Sequence, residues 1–415
     1  MNTKSIGRLL AALLAFGLIA AACGSSDSDI AENSDDNEES ESADEPASTE
    51  DGADEETDGG TQDGADEGTD GTEVALSQAC PSPLVIQTDW FPETEHGALY
   101  QMLGDDYTID SDNMIVSGPL VAHDDAPTGI DLEIRAGGPA IGFAAPRVQL
   151  YTDDAITLAY SNTDTQATNQ SELPLLAVMA PLEKNPQMIM WDPEVYPDVS
   201  SLADLGESGA TINVFGGAGF SDFFVAEGIW SADQVDPSYD GSPARFVADT
   251  SIAQQGFASA EPYNYQNVFE EYGREVEFEL LHDAGFEIYS QTLTIKPSEL
   301  DELSPCLELL VPIVQQSVLD FSADPGPTNA VIIDAVTTFD SFWVYDEGIA
   351  NYAVQTMGEL GLHGNGGDDT VGNFDAARIE TVLESLKAAG LEVPEDLTAE
   401  ELFTNDFIDP SIGFQ

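Results

Sequence analysis

Between residues 84 and 389 the sequence alternates between short apolar runs and longer segments with helical periodicity. The apolar runs have the length and composition of buried strands: Leu84–Gln87, Asp131–Ile134, Ile156–Tyr160, Leu175–Met179, Thr211–Phe215 and Phe286–Leu293. The helical patterns are Gly97–Leu103, Phe220–Gly228, Ile252–Ser259, Glu299–Leu319 and Asp375–Ala389. This alternation predicts an α/β fold with mainly parallel sheets flanked by helices.

The first 22 residues have the pattern of a secretory signal peptide, in which Lys4 and Arg8 precede an apolar run from Leu9 to Ala22. The run ends in small residues before Cys23, which resembles a bacterial lipobox, where this cysteine is lipidated. We therefore expect an exported protein that Cys23 anchors to the outer face of the cell membrane. Ordinary secretion with a coincidental cysteine is the alternative.

The segment after the leader is rich in Asp, Glu, Ser, Gly and Thr and nearly lacks large apolar residues. Such a composition cannot bury enough surface to offset chain entropy, so residues 23–80 are assigned to a disordered acidic tether. The chain has a formal net charge of −69, and removing the 21 acidic and 2 basic residues before residue 80 leaves 58 acids against 8 bases, or −50. A folded part this acidic excludes nucleic acid and anionic lipid head groups as partners.

Two cysteines, Cys80 and Cys306, remain after Cys23. Export to an oxidising compartment favours a disulfide between them, which would join the start of the first strand to a distant helix. Two unpaired cysteines are the alternative.

The first predicted strand, Leu84–Gln87, leads into the motif W-F-P-x-x-x-H-G-x-x-Y. In open α/β sheets, ligands bind where the carboxyl ends of strands meet the N-termini of helices. We therefore expect Asp89, Trp90, Glu95, His96 and Tyr100 at the mouth of a ligand site.

This motif resembles the opening of the NMT1/THI5-like periplasmic solute-binding proteins, which capture nitrate, sulfonates or thiamine-pyrimidine precursors for ABC importers. Three later stretches are similar to the family in the same order. Residues 198–205 resemble its S-x-x-D-L entry into the second lobe, 211–221 its strand and glycine loop, and 253–263 its G-F-x-x-x-E strand and loop. The resemblance covers most of residues 84–320 and implies a two-lobed, Venus-flytrap fold with a ligand cleft between the lobes.

Two segments have the character of crossings between lobes, residues 175–186 and 286–293. A lobe that the chain leaves and re-enters requires an even number of crossings, and closure about such hinges encloses small ligands. The predicted organisation is lobe I from residues 81–182, lobe II from 183–285, and a return to lobe I with C-terminal helices over 286–415.

Two glycine-rich loops, Gly137–Gly142 and Gly216–Gly219, follow predicted strands. Free N–H groups at such strand-to-helix turns bind polar or anionic ligand edges, although tight turns that contact no ligand are the alternative. The ligand contacts expected from these loops are Gly138, Gly217, Gly219 and Ser221.

Aromatic rings near these loops offer faces for flat or cationic ligands, and the candidates are Trp90, Tyr100, Tyr263, Tyr265 and Tyr289. Packing in the core is the alternative role for such rings. Trp191, Trp230 and Trp343 are assigned to packing. In the thiamine-precursor branch of the resembling family an acidic residue of the second lobe grips the aminopyrimidine, and the resemblance places Glu261 there. A solvated surface glutamate is the alternative.

Five arginines follow the leader, and two of them, Arg135 and Arg147, flank the Gly137–Gly142 loop. A protein this acidic needs a local arginine or helix N-terminus to bind nitrate or a sulfonate. Structural ion pairing is the alternative role for both residues. The scarcity of arginine therefore favours a neutral or cationic ligand.

The four histidines have no metal-ligand spacing, and no nucleophile–base pattern is recognisable. We expect no metal, no cofactor and no catalytic residue, and hence no enzyme. His96 lies in a position comparable to the histidine that related eukaryotic pyrimidine synthases consume. An exported enzyme of that type is the alternative from another functional class.

Taken together, these patterns predict a monomeric, extracytoplasmic solute-binding lipoprotein of an ABC importer. Its partners are a small nitrogenous solute such as a thiamine-pyrimidine precursor, an ABC permease, and the membrane through the lipid anchor. A sulfonate- or nitrate-binding protein of the same fold, or a lipoprotein that senses a ligand, are the alternatives.

Overall fold

The computed structural model describes residues 76–415. The predicted signal peptide, Cys23 and the tether as far as residue 75 lie outside the described residues. Residues 76–79 form one helical turn in which Leu76 is fully buried. The last residues of the segment 23–80 that was assigned to the tether therefore belong to the folded part.

Twelve strands form two sheets within residues 76–415. The seven-stranded sheet has the order β2-β3-β4-β1-β5-β12-β6, and its strands are β1 (Leu84–Gln87), β2 (Thr108–Asp110), β3 (Ile115–Ala122), β4 (Ala126–Arg135), β5 (Leu158–Ser161), β6 (Leu176–Met179) and β12 (Thr292–Ile295). The five-stranded sheet has the order β11-β7-β10-β8-β9, and its strands are β7 (Gln187–Trp191), β8 (Thr211–Asn213), β9 (Val235–Asp236), β10 (Ile252–Phe257) and β11 (Glu277–Leu280). We call the part built on the larger sheet lobe I and the part built on the smaller sheet lobe II.

Helices cover both sheets and complete the α/β architecture. They are α1 (Gly97–Tyr100), α2 (Pro146–Thr152), α3 (Thr163–Asn169), α4 (Leu202–Ser208), α5 (Gly219–Ala226), α6 (Ala244–Ala248), α7 (Glu261–Asn267), α8 (Leu300–Ala323), α9 (Pro325–Phe339), α10 (Glu347–Leu360) and α11 (Ala376–Ala388). The predicted α/β fold with two lobes is confirmed by this arrangement.

The sheets are mixed, so the prediction of mainly parallel sheets is wrong. In the larger sheet β1 runs parallel to β4 and β5, whereas the other neighbours are antiparallel. Short connections join β2, β3 and β4, and a connection of a few residues can only link antiparallel strands. Strand β12 follows the return of the chain from lobe II and is antiparallel to both of its neighbours, β5 and β6.

The prediction of a helix over Ile252–Ser259 is also wrong, because Ile252–Phe257 forms the central strand β10 between β7 and β8. Its apolar residues are too few to distinguish helical from strand periodicity. Gln254 lies in the strand interior, where its side-chain N–H donates to the Tyr265 hydroxyl at 2.9 Å. Burial in a sheet centre, which tertiary structure decides, outweighs the local pattern.

Strand β1 has the predicted bounds and is buried on both faces, as its continuous apolar run indicates. Behind it packs the long helix α8, which contributes Leu310, Val314 and Val318 to the core of lobe I. Residues 297–323 are long and apolar enough to cross a membrane, and half of that segment is buried in the fold. Cys306 of this helix is bonded to Cys80 in a disulfide that closes a sequence separation of 226 residues.

The chain passes from lobe I to lobe II through residues 180–186, between β6 and β7, and returns through residues 281–291, between β11 and β12. Both connections lie on the same side of the cleft as α11, which packs against α3 of lobe I and α5 of lobe II. We call these two segments the first and second connection. The boundaries of lobe II proposed from the sequence, residues 183 and 285, fall inside these two connections.

Candidate functional site

A cavity of about 220 Å³ lies between the two lobes. Its size is below the roughly 300–1,000 Å³ of pockets for drug-sized ligands, which indicates a small solute. Lobe I contributes Asp89, Trp90, Glu93 and Trp343, and the end of the second connection contributes Gln291. Lobe II contributes Gln187, Phe215, Tyr239, Gly241, Gln255, Gly256, Phe257, Ala260 and Glu261.

The turn after β1 is held in place by buried polar side chains. Gln87 donates to the carbonyl oxygens of Arg135 and Ala136 at 3.2 and 3.0 Å, and the Thr88 hydroxyl donates to the carbonyl oxygen of Trp90 at 2.9 Å. These bonds satisfy buried groups that would otherwise destabilise the strand end. They also direct Asp89 and Trp90 into the cavity.

His96 is fully buried behind Asp89 and does not line the cavity. Its Nε2 lies 3.0 Å from Asp89 Oδ1, and the same carboxylate oxygen accepts a hydrogen bond from Gln291 Nε2 at 3.3 Å. His96 therefore supports the Asp89 carboxylate from the side opposite to the cavity.

Gly138 brings its loop against the indole ring of Trp90. Its φ of +56° is in the left-handed region, and a Cβ atom there would lie 2.4 Å from Trp90 Cε3. Only glycine accommodates both constraints. Gly138 thus contacts Trp90 and not the cavity itself.

Aromatic rings face the cavity from both lobes. In lobe I the rings of Trp90 and Trp343 meet edge to face with centroids 6.0 Å apart, and the Trp343 indole N–H donates to the Pro92 carbonyl oxygen at 3.3 Å. In lobe II the rings of Phe215 and Tyr239 lie 4.7 Å apart. These ring faces present partial negative charge, which attracts cations and flat polar heterocycles.

Three glutamates converge at the cleft. Burial, followed by repulsion from the carboxylates of Glu95 and Asp89, raises the pKa of Glu93 well above its usual value. Burial also raises the pKa of Glu95, although its hydrogen bond from Ser259 acts in the opposite direction. Burial raises the pKa of Glu261 to about 7, against the hydrogen bond that its carboxylate accepts from the Phe257 N–H at 2.7 Å.

The cavity lining contains Asp89, Glu93 and Glu261 and, among the described residues, neither lysine nor arginine. Arg135, one of the two arginines considered for an anionic ligand, is paired with Glu133 and Asp153 at 2.7 Å each. Arg147 does not line the cavity either. The arrangement therefore suits a ligand that carries positive charge or several N–H donors.

Of the ten ligand-contacting residues expected from sequence, Asp89, Trp90 and Glu261 line this cavity, and His96 and Gly138 support them. Tyr100 is buried in the core of lobe I. The Tyr263 ring packs against Tyr352 with centroids 5.6 Å apart, away from the cavity.

Gly217, Gly219 and Ser221 also lie outside the cavity wall. The Ser221 hydroxyl donates to the Ala218 carbonyl oxygen at 2.8 Å, within the turn that begins α5. The geometry of this loop is that of a strand-to-helix turn. A ligand contact by these residues stays a prediction.

Trp343 lies on the cavity wall, so its assignment to packing from the sequence is wrong. Trp191 and Trp230 are buried in lobe II, as assigned. One signal distinguishes Trp343 from them: it lies in the loop between α9 and α10, where Phe342 and Val344 are 66% and 61% exposed. Binding residues lie disproportionately on loops that a rigid scaffold positions.

No group of three His, Cys, Asp or Glu side chains within residues 76–415 is arranged to hold a metal ion.

Comparison with known proteins gives fold-level likenesses only. No protein-family model and no curated protein matches the sequence. The chain is similar in structure to the alkanesulfonate-binding protein SsuA from Xanthomonas axonopodis pv. citri bound to MOPS, with a TM-score of 0.48, 11% identity, and coverage of 78% of this chain and 100% of that chain. It is similar to the periplasmic aliphatic sulphonate-binding protein SsuA from Escherichia coli, with a TM-score of 0.48, 11% identity, and coverage of 77% and 92%. A zinc-bound ligand-binding component of an ABC-type import system from Staphylococcus aureus gives a TM-score of 0.47 and 12% identity, with coverage of 79% and 100%.

Proposed function

We propose that this protein is an extracytoplasmic solute-binding lipoprotein that captures a small, positively charged nitrogenous solute between its two lobes and presents it to an ABC permease. The observation that carries the proposal is the composition of the cavity. Carboxyl groups and aromatic rings from both lobes face one another, and none of the described lining residues is basic.

The ligand class follows from electrostatics. A cation in the cavity gains attraction from the ring faces of Trp90, Trp343 and Tyr239 and from the carboxylates of Asp89 and Glu261. A sulfonate or nitrate would meet these carboxylates without a compensating basic side chain. A protonated amine or amidine matches the site, and so does the N–H donor edge of an aminopyrimidine of the thiamine-precursor type.

Capture without chemistry is supported by the roles of the polar groups. Asp89 is bonded to His96 and Gln291, Glu261 to the Phe257 N–H, and Glu95 to Ser259. Each of these bonds holds a side chain in position. This arrangement favours a binding protein over the pyrimidine-synthase type of enzyme.

Delivery to a permease is supported by the two connections. Hinge closure encloses a ligand, and the closed form differs from the open form in the surface that a partner recognises. The leader and Cys23 are consistent with an anchor that keeps the protein close to the permease.

The experiment is thermal unfolding of the full-length protein against aminopyrimidines, thiamine, polyamines, taurine, other sulfonates and nitrate. A solute at 100 times its dissociation constant adds about 2.7 kcal/mol to the free energy of unfolding and raises the midpoint. We expect a shift with at least one cationic nitrogenous solute and none with the anions.

Trp90→Ala should abolish the shift and Glu261→Gln should reduce it, whereas Glu308→Gln, on an exposed position of α8, should leave it unchanged. A shift with a sulfonate or nitrate alone would overturn the ligand class. Turnover of any solute would overturn the assignment to binding proteins.

A further inference from the structure

Arg378 lies in the first turn of α11 and uses all five of its N–H donors. Its Nε donates to the carbonyl oxygen of Glu287 at 2.6 Å, and Nη1 donates to both the carbonyl and a carboxylate oxygen of Glu183 at 3.0 Å. Nη2 donates to the carbonyl oxygen of Ile288 at 2.9 Å and lies 3.4 Å from His282 Nδ1. The side chain is only 9% exposed.

These partners belong to both segments that join the lobes. Glu183 lies in the first connection, residues 180–186, and the others lie in the second connection, residues 281–291. The guanidinium group also lies 3.7 Å from the ring centroid of Tyr289, in the second connection. The hydroxyl of that tyrosine accepts a hydrogen bond from the backbone N–H of Asp375, the N-cap of α11, at 2.9 Å.

The surroundings are compatible with a permanently charged arginine. Burial, followed by the charge of Arg378, lowers the pKa of His282 to about 4, so that its ring stays neutral and accepts the Nη2–H. Burial raises the pKa of Glu183, while the charge and hydrogen bond of Arg378 act against this rise. The guanidinium group therefore has a complete set of acceptors.

This arrangement has a mechanical consequence. When two lobes move, a few residues in the connections absorb the change in φ and ψ. A planar fork that is bonded to carbonyl oxygens of both connections keeps their separation constant. Lysine, with a single nitrogen, cannot reproduce the fork.

We propose that Arg378 is a positioning residue of the hinge, which couples the two connections so that they turn as one unit. Through this coupling it sets the affinity of the cleft for its solute without contacting the solute. The effect on affinity rests on the capture function proposed above, whereas the coupling of the connections does not.

Hydrogen exchange of the full-length protein without solute tests the coupling. We expect Arg378→Ala to accelerate exchange of backbone amides in both connections by at least about tenfold, because their local opening no longer breaks the shared bonds. The matched control is Arg274→Ala. Arg274 is also paired with a buried carboxylate, that of Asp192, and lies 4.3 Å from the ring centroid of Tyr272, but all three residues belong to lobe II.

The control should leave both connections unchanged. Acceleration confined to residues 376–388, or equal acceleration in the control, would overturn the proposal. Should Arg378→Ala fail to fold, Arg378→Lys provides the same comparison. In either variant that folds, we expect the pKa of His282 to rise toward its usual value, measured by NMR titration, since a neighbouring positive charge is lost or displaced.

Calorimetric titration with a solute from the panel tests the effect on affinity. We expect about tenfold weaker binding by Arg378→Ala, an intermediate loss in Arg378→Lys, and no loss in Arg274→Ala, because the fraction of binding-competent molecules falls while the cavity is intact. Unchanged affinity in Arg378→Ala would overturn the proposed effect of Arg378 on solute affinity. If no solute binds the unaltered protein, the proposed function fails, and hydrogen exchange still decides whether Arg378 couples the connections.

Discussion

The carboxyl group of Glu95 in lobe I accepts a hydrogen bond from the hydroxyl group of Ser259 in lobe II. Both residues are almost fully buried, with 2% and 1% of their surfaces exposed. A buried polar bond between lobes exists only while the lobes are together. The pair therefore stabilises the closed arrangement directly.

Ser259→Ala should weaken solute binding by about 5- to 30-fold, because a buried carboxyl group that loses its partner costs about 1–2 kcal/mol in the closed form. Isothermal titration calorimetry measures the change. Ser317→Ala is the control, since that hydroxyl is also buried but bonds to the Val314 carbonyl oxygen within α8. Equal effects of the two substitutions would contradict a role of Ser259 in closure.

Glu261 should make cation binding depend on pH. Its pKa is about 7, so below this value the carboxyl group must lose a proton before it attracts a cation. Affinity should then rise with pH, by up to about tenfold per unit below pH 7, and level off above it. Titrations between pH 5.5 and 8.5, roughly spanning that pKa, should show this rise in the unaltered protein and a smaller one in Glu261→Gln. The same slope in both proteins would assign the dependence to another group.

The Glu261 carboxyl group should also make the free energy of unfolding depend on pH. Its pKa is raised in the folded protein, so the folded state holds the proton over a range where the unfolded state has lost it, from the usual pKa of 4.5 to about 7. The free energy of unfolding therefore falls as pH rises through this window. Glu261→Gln should gain about 1–3 kcal/mol relative to the unaltered protein between these limits. Chemical denaturation at several pH values measures the gain, and a constant difference across the window would contradict it.

Gly138→Ala should lower both stability and affinity. The positive φ costs about 1–2 kcal/mol for a residue with Cβ, and the added atom displaces the Trp90 indole from the cavity wall. Gly209→Ala is a matched control, because Gly209 has a φ of +73° but no atom within 4 Å of its hypothetical Cβ. Both variants should lose similar stability from the backbone, and only Gly138→Ala should lose about tenfold or more in affinity, since cation–π contacts contribute roughly 1–2 kcal/mol. Unimpaired binding by Gly138→Ala would show that the position of Trp90 is not important.

Reduction of the disulfide should destabilise the protein by about 2–5 kcal/mol, since a cross-link over a long loop restricts the unfolded chain. Denaturation with and without reductant measures this loss, and Cys80→Ser with Cys306→Ser should reproduce it. The cavity does not include either cysteine, so solute affinity should be unaffected. Recovery of the Cys80 and Cys306 peptides as separate, free thiols from unreduced protein would contradict the bond.

Elements with a strong local signal were predictable from the sequence. Strand β1 has the predicted bounds, and the helix predicted over Asp375–Ala389 is observed as Ala376–Ala388. Its N-cap, Asp375, accepts hydrogen bonds from the backbone N–H groups of Ala377 and Arg378, and Gly390 follows its end with a φ of +81°. Capping and periodicity depend on residues that are close in sequence, so they are readable without a structure.

The cleft could be predicted only in part. Asp89, Trp90 and Glu261 were accessible because each follows a strand end or matches a family motif. Trp343 was not, because its place beside Trp90 depends on how the loop between α9 and α10 packs across about 250 residues of chain.

The alternation of strands and helices, the acidity of the chain and a strand-turn-helix stretch suited to a ligand are readable from the amino-acid sequence, since they follow from composition and local periodicity. Tertiary structure decided which strands run antiparallel, which aromatic rings share one cavity, and that Arg378 bonds to both connections. These features depend on contacts between residues far apart in the chain, for which neither periodicity nor spacing provides a signal.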